Sequence, residues 1–298
     1  MSYSRRSFLY SAVTSMVGVA ALQKLHAGNH FKVKLKKAVK FSMIQANTIL
    51  ERFELAKKCG FAGVEADSPS PLLREEMLAS SRKTGVVIHG VINSVHWNKR
   101  LSDPRAEIRA EGLQAMETAM RDTHFYGADT CLLVPGAVRN PENENFDQCW
   151  ERSTAEIKKL LPLAKQLQVK IAIEVVWNNF LTTPEMLIKY VDQFESPWVG
   201  AYFDASNMIK YGVPSAEWIR RLGKRMLKLD FKGYHYDKQK WVPIGEGTEN
   251  WPEILKACEE VGYHGWATAE VQGGGEDVLM SISKKMDEIL ELPREKPI

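Results

Sequence analysis

Eight short apolar segments recur along this chain, and each is followed by an amphipathic stretch. The segments are AVKFSMI (38–44), GVEA (63–66), VVIHGVI (86–92), TCLLVP (130–135), KIAIEVV (170–176), VGAYFDA (199–205), MLKLDFK (226–232) and WATAEV (266–271). Their Val, Ile and Phe content and their length predict strands buried on both faces. The stretches between them carry helix spacing. TTPEMLIKYVDQF opens with a Thr cap and Pro at the first turn, and places Leu187, Tyr190, Val191 and Phe194 on one stripe. ILERFELAKKCG ends at a glycine stop, and DPRAEIRAEGLQAMETAMRDTHFYG reads as a helix capped by Asp103 with Pro104 in its first turn. The stretches PSAEWIRRLGKR and VRNPENENFDQ read as longer loops.

Strict strand–helix alternation gives a parallel sheet with helices outside it. Eight units in roughly 250 residues match a single closed (β/α)8 TIM barrel. The open, doubly wound alternative lacks support, because no glycine-rich phosphate loop follows the first strand. The domain is expected to run over 28–298, without a linker or second domain.

Residues 1–27 read differently. SRRSFLY precedes the apolar run SAVTSMVGVAAL, then Lys24 and LHAG. A basic start, a modest apolar core and a small residue near the end describe an export signal, and Arg5–Arg6 before Ser7, Phe8 and Leu9 resembles the twin-arginine class. The expected location is the periplasm. No cysteine follows the apolar run, and the body has no run of 18 apolar residues, so neither a lipid anchor nor a spanning helix is expected. The signal contains Arg5, Arg6 and Lys24 and no acid. Its removal takes Lys+Arg from 40 to 37 against 37 Asp+Glu, so the whole-chain charge of +3 carries no argument for nucleic acid. Cys59, Cys131, Cys149 and Cys258 are scattered without metal spacing and read as buried thiols.

In a barrel of this kind the C-terminal strand ends carry function. Four of them end in acids: Glu174 in IAIE, Asp204 in AYFD, Asp230 in KLDF and Glu270 in ATAE. They fall on four successive strands, whose ends lie about 5 Å apart. Carboxylates so placed repel one another unless a cation sits among them. Oxygen-rich ligation suits Mn2+ or Mg2+, with Co2+ and Zn2+ as further candidates. On the seventh strand Lys228 and Lys232 share the face of Asp230, which places Lys232 at the mouth and Lys228 one layer deeper. His96 and Trp97 follow the third strand, and Trp177 follows Glu174, so all three are candidate sugar contacts. His235 lies near the same rim and Glu65 ends the second strand as a fifth acid.

These residues sit in stretches that resemble the sugar phosphate isomerase/epimerase family with the xylose isomerase-like barrel. The matching stretches are LAKQLQVKIAIEVVWNNF, SPWVGAYFDASNM, LGKRMLKLDFKGY and VPIGEGTENWPEILKACEEVGYHGWATAEV, with GFAGVEADS and GADTCLLVPG toward the front. The resemblance implies one divalent ion held by Glu174, Asp204, the seventh-strand position and Glu270, with Glu174 and Glu270 doubling as acid and base. It also implies a small sugar or keto-sugar as substrate. One departure stands out: the family commonly has His-x-Lys-Asp on the seventh strand, and this chain has Asp230, Phe231, Lys232 and Gly233. A second is Asn207, where the family often has His.

The reaction expected from this set is proton abstraction beside a carbonyl through an enediolate, giving epimerisation or isomerisation. The same enolate chemistry would serve a lyase or hydrolase acting on 3-keto-glycosides, and a barrel that binds sugar without catalysis is a further alternative. A zinc hydrolase of the endonuclease type needs many His ligands, and few of this chain's seven His lie at strand ends. A homo-oligomer is compatible with all of these readings.

Overall fold

The first strand, β1, begins at Lys36 and ends at Lys40, where the chain turns through Phe41–Met43 instead of running on to residue 44 as the apolar pattern predicts. Phe41 leaves the barrel wall to pack on Phe53, with ring centroids 5.1 Å apart. The computed structural model describes residues 34–291. The export signal expected over 1–27 lies outside the described residues.

After β1 come α1 (Ile49–Lys58), β2 (Gly63–Ser68), α2 (Arg74–Thr84), β3 (Val87–Asn93), α3 (Ala106–Tyr126), β4 (Thr130–Leu133), α4 (Phe146–Leu167), β5 (Lys170–Glu174), α5 (Pro184–Asp192), β6 (Val199–Asp204), α6 (Ser215–Leu222) and β7 (Met226–Phe231). A hairpin of β8 (Tyr234–His235) and β9 (Lys240–Trp241) follows, then α7 (Trp251–Val261), β10 (Trp266–Ala269) and α8 (Glu276–Leu290). The eight longer strands close into a parallel barrel, with β1 paired to both β2 and β10. The fold is a (β/α)8 TIM barrel of the xylose isomerase-like kind, and closure excludes the open sheet. No helix among the described residues is long and apolar enough to cross a membrane.

Local chemistry explains most of the boundaries. Thr48 and Glu51 form a reciprocal capping box on α1, and Asn145 and Gln148 do the same on α4. Thr183 accepts from the Met186 amide with Pro184 in the first turn of α5, as its sequence predicts. Two further expectations fail. The stretch expected as a loop over PSAEWIRRLGKR contains α6, because Trp218, Ile219 and Leu222 share one fully buried helical stripe. Asp103 does not cap α3, whose first residue is Ala106. Its carboxylate instead takes the Arg105 amide at 3.0 Å and the Arg100 guanidinium at 3.1 Å.

The main apolar core lies between strands and helices, where residues such as Phe53, Ile171, Phe203, Trp218 and Leu255 are buried. The barrel interior is more polar. Lys40, Glu65, His89, Tyr202, Lys228 and Thr268 are all buried. His89 is a core histidine stacked on Trp266 and bonded to the Thr268 hydroxyl. The four cysteines are buried free thiols.

Candidate active site

Strand register brings the acids together. Asp204 on β6 sits beside Asp230 on β7, and parallel register partners point to the same side. Glu174 closes β5, one stave along. Glu270 stands just past β10, its amide bonded to the Phe231 carbonyl at 3.0 Å. Each of the four offers a carboxylate oxygen, and these oxygens all lie within 4.8 Å of one another. The barrel order β10-β7-β6-β5 puts Glu270 and Glu174 on the two flanks, with Asp230 and Asp204 between them. Asp204 and Asp230 are wholly buried, whereas both glutamates line a cavity of about 510 Å³ that opens at the barrel mouth.

Lysines hold the acids from two sides. Below, Lys40 Nζ lies 2.5 Å from Glu65 Oε2 and 2.8 Å from Asp230 Oδ2. The Tyr202 hydroxyl donates to Asp230 Oδ1 at 2.8 Å. At the rim, Lys232 Nζ donates to Glu270 Oε2 at 2.7 Å and stands 3.5 Å from Asp204 Oδ2. Lys228 lies deeper, where it meets the His89 carbonyl at 3.0 Å and Asp129 at 2.9 Å.

The acids are therefore unequal. Burial, reinforced by Glu270 and Asp230, pushes Glu174 well above the usual carboxylate range. Burial also raises Asp204 and Asp230 against the pull of Lys232 and Lys40 respectively. Glu270 is desolvated too, but Lys40 and Lys232 outweigh the burial and hold it below its ordinary value. Two carboxyls with environments that push them apart are what an acid/base pair requires.

The donor set fits a hard divalent cation. Asp204 Oδ1 is taken by the Ser206 and Asn207 amides, at 2.6 and 2.9 Å, while its fully buried Oδ2 has no hydrogen bond and is met only by the long 3.5 Å ion pair with Lys232. A buried carboxylate oxygen with no hydrogen bond and so distant an ammonium is stabilised further by a cation in direct contact. Lys40 and Lys232 are the lysines paired with this group, so a cation that ionised Glu174, Asp204, Asp230 and Glu270 would meet more carboxylates than the lysines balance.

Most of the other expected contacts reach this cavity. His96, Trp97, Trp177, Asn207 and Lys232 all line it. Asn207 donates to Glu174 Oε1 at 3.4 Å and to the Val175 carbonyl at 3.3 Å, and its own carbonyl accepts from Trp177 Nε1 at 2.7 Å. His96 accepts from the Val134 amide, and burial lowers it to about 4, so it is neutral near pH 7.

Two expectations are corrected. His235 is not brought to the cavity: it lies on β8 opposite Lys240, because the chain leaves the barrel wall after Phe231 to form the hairpin. Glu65 is not at the mouth: it is fully buried under Asp230, bonded to Lys40 and Tyr202, in space that exists because position 90 is glycine. A Cβ on Gly90 would stand 2.9 Å from Glu65 Oε1. Sequence reasoning also missed three residues. Lys40 and Trp241 line the cavity, and Tyr202 braces its floor.

The family model for xylose isomerase-like TIM barrels matches residues 53–292. The chain belongs to that family. Among its relatives is L-ribulose-5-phosphate 3-epimerase UlaE of Escherichia coli, 25% identical over 250 residues, which span 80% of this chain and 87% of that one. A D-tagatose 3-epimerase-like protein superposes with a TM-score of 0.74 at 18% identity, covering 86% of this chain and 97% of the other. The apo form of 3-keto-D-glucoside 4-epimerase YcjR from E. coli also gives 0.74, at 17% identity, covering 86% and 99%. At these identities the two solved structures speak for the fold. Within this xylose isomerase-like barrel, the all-carboxylate donor set is accompanied by a lysine buried directly behind the seventh-strand acid.

Proposed function

We propose that the protein is a divalent-metal-dependent sugar epimerase or isomerase that moves a proton beside a carbonyl. The observation that carries this reading is the convergence of Glu174, Asp204, Asp230 and Glu270, with ligand oxygens within 4.8 Å of one another. Those four residues would hold Mn2+ or Mg2+, with Co2+ or Zn2+ as alternatives. A bound divalent ion polarises a carbonyl and its neighbouring hydroxyl, so that the carbon between them loses a proton more readily. Sequence similarity to an epimerase over most of both chains supports the same class.

The residues divide the proton work. Glu270, held below its ordinary value by Lys40 and Lys232, takes the proton from the carbon beside the carbonyl, and the electron pair passes into an enediolate. Glu174, on the opposite flank of the cluster, supplies a proton to the other face. Return to the same carbon inverts it; return to the adjacent carbon moves the carbonyl. Asn207 orients Glu174 through the 3.4 Å contact. Trp97, which is 43% exposed, offers an apolar face for the C–H side of a sugar ring, and neutral His96 offers hydrogen bonds to its hydroxyls.

We also place the protein in the periplasm, on the strength of Arg5–Arg6 and the apolar run behind them. Cell fractionation of the wild type and an Arg5→Lys, Arg6→Lys variant tests this, since the variant should stay in the cytoplasm.

The functional test is metal-loaded protein in deuterated water with a panel of keto-sugars, followed by proton NMR. Deuterium should appear at the carbon beside the carbonyl, with a loss of about 10²–10⁴-fold in Glu270→Gln. Unchanged exchange in the Glu174→Gln, Glu270→Gln double variant would refute the assignment.

A further inference from the structure

A second cavity of about 1040 Å³ opens on the far side of Glu270. Glu270, Lys232 and Trp241 line both it and the 510 Å³ cavity above the acids, so the two form one continuous cleft. The smaller compartment lies within the range that encloses a small ligand and is ample for a single sugar ring. The larger one is left for something attached to that ring.

Its walls are fixed by backbone contact. A Cβ on Gly273 would stand 2.1 Å from the Met43 carbonyl oxygen, and one on Gly233 would stand 2.4 Å from the Pro243 carbonyl oxygen. The segments after β1, β7, β9 and β10 therefore touch along their main chains, and the space between them and α8 is preformed. Met43, Ile244, Val271, Val278 and Ile282 make much of its surface apolar. Its charges are balanced, with Asp277 and Lys285 added to Glu270 and Lys232. Among the described residues no arginine lines either compartment, and the acids outnumber the lysines around the smaller one, so these walls offer a phosphate ester no guanidinium fork. Trp241 stands at the junction, stacked on Trp177 at 4.8 Å yet still 44% exposed, and Lys232 Nζ lies 4.8 Å from its ring centroid. An exposed indole at a junction is a platform for the apolar face of a second ring.

We infer that the larger compartment is an aglycone subsite, and that the substrate is an uncharged glycoside whose reacting sugar sits over the four acids while its second sugar or aromatic aglycone passes Trp241 into the annex. This rests on the reading of the smaller cavity as a sugar site. It separates this protein from relatives that act on free or phosphorylated ketoses.

The test is a binding titration of the full chain with phenyl and methyl glucosides and their 3-keto analogues, in both anomers. The phenyl member of a pair should bind at least about tenfold more tightly. Val278→Trp and Ser281→Trp fill the annex from the exposed side of α8, so both should fold, which thermal melting checks. Each should abolish the preference while leaving the methyl glycoside unaffected. Equal affinities in the wild type, no measurable binding of any phenyl glycoside, or a preference that survives both substitutions overturns the inference. Binding reads the annex whether or not a proton is exchanged. A protein that prefers the phenyl glycoside but exchanges no proton would defeat the epimerase reading and leave the subsite standing.

Discussion

Lys40 Nζ lies 2.8 Å from Asp230 Oδ2, and both side chains are buried in the barrel. The same ammonium meets Glu65 at 2.5 Å. A buried cation so enclosed keeps two carboxylates folded inward that would otherwise repel each other and the acids above them. Lys40→Met removes one partner and leaves two charges uncompensated. The expected loss is about 3–5 kcal/mol in chemical denaturation. Added Mn2+ should stabilise this variant more than the wild type, because the ion would then supply charge the lysine no longer does.

Lys232 acts at the rim, where its bond to Glu270 is 2.7 Å. Lysines hold Glu270 below the ordinary carboxylate range despite its burial. With Lys232→Met that value rises, so a smaller fraction of Glu270 is ionised at any given acidic pH. The acid limb of kcat/KM against pH should therefore move to higher pH. A limb in the same place would mean that Glu270 is not the base.

His96 gives a stability signature with a definite sign. Burial lowers its folded-state value to about 4, against about 6.5 in an unfolded chain. Between those values the unfolded state binds the extra proton, so stability is present above about pH 6.5 and is lost as pH falls toward 4. The contribution is at most about 3.4 kcal/mol. Urea midpoints at pH 7 and pH 5 should differ less for His96→Asn than for the wild type. His89, lowered well below its ordinary value by burial, adds to the wild-type trend in the same direction.

Particular residues show how far the sequence can be read. Glu174, Asp204, Asp230 and Glu270 were legible because each ends an apolar strand, and strand ends at one rim of a barrel converge. Lys40 ends an apolar run in the same way, yet KKAVKF begins with two other lysines, and nothing local marks the third as the one that turns inward. Its partners, Glu65 and Asp230, come from β2 and β7, so the pairing is a product of closure. Glu65 has the pattern of a rim acid but sits a layer lower, because Gly90 leaves room for it beneath Asp230. His235 already had the wrong parity to share the face of Asp230 on an extended strand, and the chain leaves the wall after Phe231 and carries it into the hairpin instead of swinging it in. The α6 segment was hidden by Pro214 and Gly223 at its ends, although Trp218, Ile219 and Leu222 carry helix spacing.

The claim on which the account depends is that the four acids gather around a cation. Titration of the metal-free full chain with Mn2+, read by calorimetry and by metal analysis after dialysis, tests it directly. About one ion should bind per chain, with affinity falling by at least about tenfold in Asp204→Asn, which removes a charged ligand oxygen from the cluster. A chain that binds no divalent ion, or binds it equally well after that substitution, would contradict it.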